Sequence, residues 1–358
     1  MKRVGYIYED IISVENCKLA ILNAAKGKKR RKNVINILNN VDRYAVDLSE
    51  RLQRLDFLSP YHKKTIKDGL SGKIREVEIP NFYPDQCGHH AIIQVLQPII
   101  MKSSYYWSCA NIPKRGLDHA SKIVSRATIK DTRHCKYCVK CDIRKFYPSV
   151  SHDVMKKRFR EKIKDEKALA IIFTVIDSTK GISIGNYTSP WFAELLLQPF
   201  DHFVKEKLGI RYYIRYADDI VLIDKNKRKM RRALQAIIEF IKGLQLEIKS
   251  NYQLFKVLRG KSGRKIDFVG KCFAVGYTTI RKRRALAFMR QSRLIQKLQN
   301  RKAPIPYTVA ASFLSRSSCL LHTNSFGLRL KYYEPIDINA LKEVVRNESK
   351  RKLIAKAT

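Results

Sequence analysis

The spacing of apolar residues along the chain predicts helices and strands that are mixed without strict alternation. Helices are predicted to about residue 70, over residues 87–101, 151–178, 190–207 and 227–244, and from about residue 283. Strands are predicted at Ile74–Ile79, at Tyr137–Ile143, and near residues 251–257 and 265–276. This mixture favours an α+β fold over a doubly wound parallel sheet.

Residues 210–224 have the sequence IRYYIRYADDIVLID, in which apolar and aromatic residues are interrupted only at Ala217–Asp218. The pattern predicts a β-hairpin with a tight, acidic turn. Neighbouring carboxylates in an apolar setting resist desolvation and raise each other's pKa unless a cation neutralises them. Adjacent strand residues point to opposite faces, so Asp218 and Asp219 can serve one site only near a turn. The hairpin therefore predicts a divalent cation at its turn.

Asp142 ends a second apolar strand and precedes the basic, aromatic turn RKFYPSV. Carboxylate oxygens suit Mg²⁺, and no His or Cys lies beside the Asp218–Asp219 pair. Three carboxylates from two strands could hold two ions roughly 3.5–4 Å apart, one activating a 3′-hydroxyl and one stabilising the leaving pyrophosphate. The alternative is that each acid only caps a turn or pairs with an arginine.

The charge balance points to a polyanionic partner. The chain has 358 residues, of which 72 are Lys or Arg and 32 are Asp or Glu, so its formal charge is +40. Self-repulsion of this size opposes folding unless phosphates neutralise it, which favours nucleic acid. Basic blocks lie at Lys26–Lys32, Lys225–Arg232 and Arg281–Arg284. The alternatives are a solubilising surface or a ribosomal or histone-like packing protein.

The composition also limits the compartment and the metal chemistry. The first residues lack the apolar segment of a secretory signal, and no run reaches the ~18–20 apolar residues of a membrane span, so we expect a cytoplasmic protein. The eight cysteines of so long a chain do not predict a disulfide framework. His134, Cys135, Cys138 and Cys141 have part of a zinc-site spacing but no matching second pair, which favours buried thiols over zinc.

The segment Tyr216–Asp219, YADD between two apolar strands, resembles the YxDD signature of reverse transcriptases. Asp142 then matches the single aspartate of the first catalytic motif of that family. Tyr147 falls where these enzymes place an aromatic gate that clashes with a 2′-hydroxyl and so favours deoxynucleotides. The resemblance also assigns Ile143 to the metal site, beside the three aspartates.

The resemblance continues in order over nearly the whole chain. Residues 73–86 resemble the fingers motif, in which Lys73 or Arg75 meets the triphosphate. The family pattern assigns Arg115, in SCANIPKRG, and Gly185, in GNYTSP, to nucleotide or template binding. Lys249 matches a lysine suited to protonating pyrophosphate. Phe268 and Gly270, in FVG, resemble the primer grip.

This resemblance implies a right-hand polymerase of α+β class, with an antiparallel palm sheet and a helical thumb. The implied domains are an N-terminal extension and fingers over residues 1–135, a palm over 136–276 and a basic thumb over 277–358. The implied activity is RNA-directed DNA synthesis with two Mg²⁺ ions, for which Mn²⁺ can substitute. The implied partners are an RNA template, a DNA or RNA primer, dNTPs, a structured cognate RNA and a small basic accessory protein, with no membrane.

The motifs are most similar to the prokaryotic branch that includes group II intron, retron, diversity-generating and phage-defence enzymes. ISVENCKLAILNAAKGKKRRKNV and SFLSRSSCLLHTNSFGLRLKYY resemble small stand-alone enzymes of diversity-generating or prophage type. Ile184, before the GxxxSP glycine, matches the diversity-generating enzymes, whereas Pro190 does not. Two other functions stay open: template-independent synthesis by a defence-associated relative, and a non-catalytic RNA-binding scaffold.

Overall fold

The computed structural model describes residues 3–67, 74–320 and 323–354 of the chain. Its helices alternate irregularly with short strands, and π-helical turns extend several of them. The helices are α1 (Tyr8–Ile12), α2 (Val14–Ala24), α3 (Lys32–Asn39), α4 (Val41–Gln53), α5 (Cys87–Lys102), α6 (Leu117–Ser125), α7 (Phe146–Ser149), α8 (His152–Arg160), α9 (Glu166–Asp177), α10 (Ser189–His202), α11 (Lys227–Gly243), α12 (Lys282–Asn300), α13 (Tyr307–Ser317), α14 (Phe326–Tyr332) and α15 (Ile338–Ile354).

The strands form a two-stranded, a three-stranded and a five-stranded sheet. They are β1 (His62–Lys67), β2 (Ile74–Ile79), β3 (Ser108–Cys109), β4 (Tyr137–Asp142), β5 (Tyr212–Tyr216), β6 (Asp219–Asp224), β7 (Gln253–Lys256), β8 (Ile266–Phe268), β9 (Lys271–Ala274) and β10 (Tyr277–Ile280). The five-stranded sheet has the order β3-β5-β6-β4-β7. A two-residue connection makes β5 and β6 an antiparallel hairpin, whereas β3 runs parallel to β5.

The chain divides into two compact units. The first consists of residues 1–119, 139–222 and 228–253, and the second of residues 120–138, 223–227 and 254–358. In the first unit α10 is buried on nearly all sides, including its polar residues Glu194 and Asp201. Its C-terminal end packs on α11, where the rings of Phe203 and Phe240 stack 4.7 Å apart.

The second unit has its own apolar core, formed mainly by its C-terminal helices. The buried core residues are Ile280, Phe288, Ile295, Ala310, Phe313, Leu320, Tyr332, Ile336 and Leu341. Phe288 of α12 stacks on Phe313 of α13 at 5.2 Å between ring centroids. No helix in the described ranges is long and apolar enough to cross a membrane.

Most predicted elements are present, and the α+β class is confirmed. The helix predicted to about residue 70 is wrong after Gln53, because β1 pairs with β2 there and places Lys63 opposite Glu78. The strand predicted near residues 265–276 is two strands, β8 and β9, separated by a turn at Val269 and Gly270, both with positive φ. The helix predicted over 151–178 breaks before Asp165, which caps α9.

Candidate active site

The acidic turn lies between β5 and β6, as the hairpin pattern predicts. Ala217 adopts a left-handed conformation, with φ of 52°, which lets the chain reverse within two residues. The Ala217 backbone N–H donates to the carbonyl of Cys109, and the Asp218 carbonyl accepts a hydrogen bond of 3.4 Å from the Ile143 N–H. This backbone contact places Asp218 next to the end of β4, where Asp142 lies.

Asp142 and Asp218 form the acidic centre. Burial, and then the charge of Asp142, raises the pKa of the Asp218 carboxyl to about 6. Asp142 Oδ1 is buried and has no hydrogen-bond partner among the described residues. A buried carboxylate oxygen without a donor is costly and is suited to binding a cation.

The other oxygen of Asp142 is paired with Lys249. Lys249 Nζ lies 2.5 Å from Asp142 Oδ2, and both side chains are about 30% exposed, with values of 30% and 29%. The Lys249 backbone N–H also donates to the Asp142 carbonyl at 2.8 Å, and Ile143 forms a β-bridge with Ile248. Lys249 is therefore fixed to the end of β4 by its main chain as well as by its ammonium group.

Asp219 begins β6 and contributes a smaller electrostatic effect on Asp218 than Asp142 does. Within the described ranges, no three His, Cys, Asp or Glu side chains are arranged as a complete metal cage. The structure brings the carboxylates of Asp142 and Asp218 together, and Oδ1 of Asp142 has no hydrogen-bond partner among the described residues. Carboxylate oxygens are hard donors that fit Mg²⁺. Asp142 and Asp218 would hold such an ion, whereas the assignment of Asp219 and of the Ile143 carbonyl as further ligands stays a prediction.

Tyr147 lies on the short helix α7 that follows Asp142. Burial raises the pKa of its hydroxyl to about 12, and the nearby Asp218 charge acts in the same direction. The Tyr147 carbonyl accepts a hydrogen bond from the Ile182 N–H at 3.0 Å. Gly181, with φ of 68°, packs so closely that a Cβ there would lie 2.6 Å from the Tyr147 carbonyl oxygen. Only a glycine allows this approach without a shift.

Gly185 is held against strand β2. A Cβ at this position would collide with the carbonyl oxygen of Glu78. In the same loop the Gly185 N–H donates to Ser183 Oγ at 3.2 Å, and the Tyr187 ring stacks on His90 with centroids 3.7 Å apart. The loop that precedes α10 is therefore rigidly seated.

The other predicted nucleotide-binding residues are only partly placed. Lys73 lies outside the described residues, and Arg75 is in β2. Arg115 Nη1 donates to the carbonyl of Tyr105 at 2.8 Å, and its guanidinium lies 5.4 Å from the Tyr106 ring centroid. These contacts hold Arg115 within its own loop, and none of them links it to the acidic centre.

The predicted primer-grip residues belong to the second unit. Phe268 ends β8 and is fully buried. Gly270 has φ of 81°, and a Cβ there would collide with the guanidinium of Arg284. The Gly270 backbone therefore packs directly against the Arg284 side chain of α12.

The cysteines near Asp142 are buried thiols in this structure. Burial raises the pKa of Cys135 and of Cys141 to about 12, so both are neutral at physiological pH. His134 Nδ1 lies 2.7 Å from Asp131 Oδ1, which gives the histidine a carboxylate partner.

Arg215 is a residue that the sequence pattern did not single out. It is fully buried in β5, three residues before Asp218, and it pairs with Glu194 and Asp201 of α10. The sequence contains a pattern that could have indicated this network. A cation lies inside an apolar strand, and two acids lie seven residues apart on a mainly apolar helix.

Known proteins match the part of the chain that contains this centre. The family model "Reverse transcriptase (RNA-dependent DNA polymerase)" matches residues 61–259. The retron Ec73 reverse transcriptase of Escherichia coli is 27% identical in an alignment of 187 positions that covers 46% of this chain and 58% of that enzyme. Protein YkfC of Escherichia coli K12 is 23% identical in an alignment of 265 positions that covers 62% of this chain and 67% of that protein. The match to the retron enzyme thus spans little more than half of that relative.

Among solved structures, the telomerase of Candida tropicalis with a TWJ fragment of telomeric RNA has a TM-score of 0.49 at 13% identity, covering 90% of this chain and 58% of the telomerase. The telomerase of Candida albicans with a TWJ fragment has a TM-score of 0.48 at 13% identity, covering 86% of this chain and 57% of that protein.

The region matched by the family model covers more than half of the chain. It contains the acidic hairpin, Asp142, Tyr147 and the Gly185 loop, and it confirms the expected right-hand polymerase fold with its palm sheet. The match to a bacterial retron enzyme supports the expected prokaryotic affinity, whereas the diversity-generating or prophage subtype stays a prediction. By this match and by its acidic centre, the chain belongs to the reverse transcriptase family.

Proposed function

We propose that this protein is an RNA-directed DNA polymerase that copies an RNA template into DNA by metal-assisted nucleotidyl transfer. The observation that carries the proposal is the Asp142–Asp218 pair at the hairpin turn, with its unpartnered oxygen and with Lys249 on the opposite oxygen. A scaffold gains no stability from such a pair, because two adjacent buried carboxylates repel each other.

Bound Mg²⁺, replaceable by Mn²⁺, would supply activation of the primer 3′-hydroxyl and charge neutralisation at the leaving pyrophosphate. Asp142 and Asp218 are the proposed main ligands, with Asp219 and the Ile143 carbonyl in support. Lys249, beside Asp142, is the proposed proton donor to pyrophosphate. The ring of Tyr147, whose backbone packs against Gly181, is proposed to exclude the ribose 2′-hydroxyl of an incoming nucleotide.

The remaining assignments extend this proposal to the whole chain. Residues 136–276 act as palm, residues 1–135 as N-terminal extension and fingers, and residues 277–358 as thumb. Lys73, Arg75 and Arg115 are proposed to contact nucleotide or template, and Phe268 with Gly270 to grip the primer.

The proposed partners are an RNA template, a DNA or RNA primer and dNTPs. A structured cognate RNA and a small basic accessory protein complete the set. A retroelement, prophage or defence system in the cytoplasm of a bacterium is the proposed setting.

Incorporation of labelled dNTPs and rNTPs on a primed RNA template with Mg²⁺ tests the activity. We expect template-dependent dNTP incorporation that is lost in Asp218→Asn, while the variant still binds the primed RNA. Loss of RNA binding together with incorporation would assign Asp218 a structural role. Sequencing of products from defined templates separates templated from template-independent synthesis. No incorporation, even with co-purified RNA, would contradict the proposal and favour a scaffold.

A further inference from the structure

Arg215 is a cation buried completely within the first unit. It lies on β5 with no exposed surface, and Glu194 and Asp201 of α10 are equally buried. Arg215 Nε donates to Asp201 Oδ1 at 2.8 Å and Nη2 donates to Asp201 Oδ2 at 2.6 Å, which is a bidentate pair. Nη2 also lies 3.0 Å from Glu194 Oε2. One guanidinium thus serves two carboxylates seven residues apart on one helix.

Two hydroxyl groups complete this buried network. Ser108 Oγ donates to Glu194 Oε2 at 2.7 Å, and the Tyr213 hydroxyl donates to Asp201 Oδ1 at 2.5 Å. Burial alone would lower the pKa of Arg215, but the charges of Asp201 and Glu194 raise it well above its ordinary value. The guanidinium is therefore a permanent cation that is locked in one orientation.

Joining α10 to β5 through buried charges costs free energy, because each charged group loses its hydration. Replacing a buried ion pair or triad with well-packed apolar residues is often neutral or stabilising. Glu194 Oε1 has no hydrogen-bond partner among the described residues, which adds a further desolvation cost. Stability alone therefore does not account for a charged group at this place in β5.

The third guanidinium nitrogen of Arg215, Nη1, contacts the acidic turn Ala217–Asp218 between β5 and β6, which is called the catalytic turn below. Nη1 donates to the carbonyl of Ala217 at 3.1 Å. Ala217 has φ of 52° and directly precedes Asp218, whose carbonyl accepts from the Ile143 N–H. A non-glycine residue in the left-handed region costs about 1 kcal/mol or more and persists only where its surroundings fix it. The hydrogen bond from Arg215 is a side-chain contact that holds Ala217 in this conformation.

We propose that Arg215 is a positioning residue that sets the geometry of the catalytic turn. Its guanidinium fixes the Ala217 carbonyl, and through this peptide it holds the Asp218 carboxylate beside Asp142. Because Glu194 and Asp201 anchor the same guanidinium to α10, the turn is also tied to the helix that follows the Gly185 loop. This inference rests on the proposed function for its catalytic consequence, whereas its effect on cation binding does not.

Arg215→Lys tests the proposal because it keeps the charge but removes the planar fork, so one ammonium cannot reach all of these partners. We expect the rate of dNTP incorporation to fall by about tenfold or more, in line with the 10–100-fold losses caused by removing groups that orient metal ligands. The KM for primed template should stay within about twofold, because the network is fully buried and Arg215→Lys changes no surface charge. Affinity for Mn²⁺, measured by electron paramagnetic resonance without nucleotide or RNA, should weaken by several-fold.

Two further variants separate positioning from folding. Arg215→Met combined with Glu194→Gln and Asp201→Asn removes the buried charges together, so the chain keeps a neutral core while the turn loses its donor. It should show the same losses of rate and of Mn²⁺ affinity. Asp165→Ala, which removes the cap of α9 and its bonds to the Ile7 and Tyr8 N–H groups, should lower the melting temperature and leave both unchanged.

The outcomes are distinct. Arg215 is only a structural residue if Arg215→Lys keeps both its incorporation rate and its Mn²⁺ affinity within twofold of wild type. If Arg215→Lys does not fold, the triple variant gives the same test. A wild-type protein that binds Mn²⁺ but incorporates no nucleotide would contradict the proposed function. In that case a weakened Mn²⁺ affinity in the variants would still support the positioning role.

Discussion

Lys249 Nζ lies 2.5 Å from Asp142 Oδ2, whereas Asp142 Oδ1 is buried without a hydrogen-bond partner among the described residues. The two oxygens of one carboxylate thus have different environments. One is neutralised by the chain itself, and the other is left for a cation. Lys249 thus has one observed effect, as an internal counter-ion of Asp142, and one proposed effect, as the acid that protonates the leaving pyrophosphate.

Lys249→Met should separate these effects. Loss of the proposed proton donor should slow dNTP incorporation by about 10²-fold, the lower end of general acid contributions. Affinity for Mn²⁺ without nucleotide should rise or stay equal, because a competing cation has left Asp142. Single-turnover incorporation and Mn²⁺ titration measure the two quantities. A variant that incorporates dNTPs at the wild-type rate would exclude Lys249 as the acid.

Asp218→Asn should stabilise the metal-free protein although it abolishes incorporation. The pKa of Asp218 in the folded chain is about 6, above its ordinary value of 3.8, so ionisation costs more in the folded state than in the unfolded one. The penalty is absent below the ordinary pKa, grows between about pH 4 and pH 6, and is complete above pH 6, where it amounts to about 3 kcal/mol.

Thermal unfolding in EDTA at pH 5 and pH 7.5 measures this penalty. The melting temperature of wild type should fall relative to that of Asp218→Asn as the pH rises. Asp165→Ala is the control, because Asp165 accepts three backbone hydrogen bonds, and their loss should lower stability at both pH values. A lower melting temperature of Asp218→Asn at pH 7.5 would mean that the carboxylate is stabilising.

Tyr147→Ala should weaken the preference for dNTPs over rNTPs. The Tyr147 backbone is held by Gly181 and Ile182, and its ring packs edge-on against the Phe146 ring, with centroids 5.5 Å apart. We expect the ratio of catalytic efficiencies for dNTPs and rNTPs to fall by about tenfold or more, because removing the ring removes a steric exclusion. Tyr147→Phe keeps the ring and should keep the ratio. Equal ratios in Tyr147→Ala and wild type would show that the gate lies elsewhere.

The sequence indicates Asp142, Asp218 and Asp219 as candidate ligands because they are acids at the ends of apolar strands, and the structure brings Asp142 and Asp218 together. Sequence reasoning did not locate Arg215 or Gly181, since their roles depend on contacts with distant parts of the chain. Arg215 meets Asp201 across fourteen residues, and Gly181 meets Tyr147 across a helix pair. The prediction of a helix over the residues of β1 is wrong for the same reason, because only the pairing with β2 makes this segment a strand.

Gly185→Ala should disturb the loop before α10, because the new Cβ would collide with the Glu78 carbonyl. We expect a lower melting temperature and a loss of incorporation of about tenfold or more, since overpacking against backbone typically costs about 1–3 kcal/mol. Gly243→Ala is the control, because a Cβ there meets nothing within 4 Å at the end of α11. It should be neutral or stabilise the protein by a few tenths of a kcal/mol. Equal melting temperatures for the two variants would contradict the tight seating of this loop.

Binding of a primed RNA template should weaken steeply as salt rises, because a chain of formal charge +40 releases many counterions when it meets phosphates. If α12 is part of the thumb, its exposed Arg283 and Arg290 bind phosphates. Arg283→Gln with Arg290→Gln should then reduce the slope of log affinity against log salt by about 1 to 2, close to one for each phosphate that is no longer neutralised. Lys157→Gln with Lys164→Gln removes the same charge from exposed positions of the first unit and should leave the slope unchanged. Fluorescence anisotropy from 50 to 300 mM salt measures the slopes, and equal slopes for the two double variants would place the duplex-binding surface outside α12.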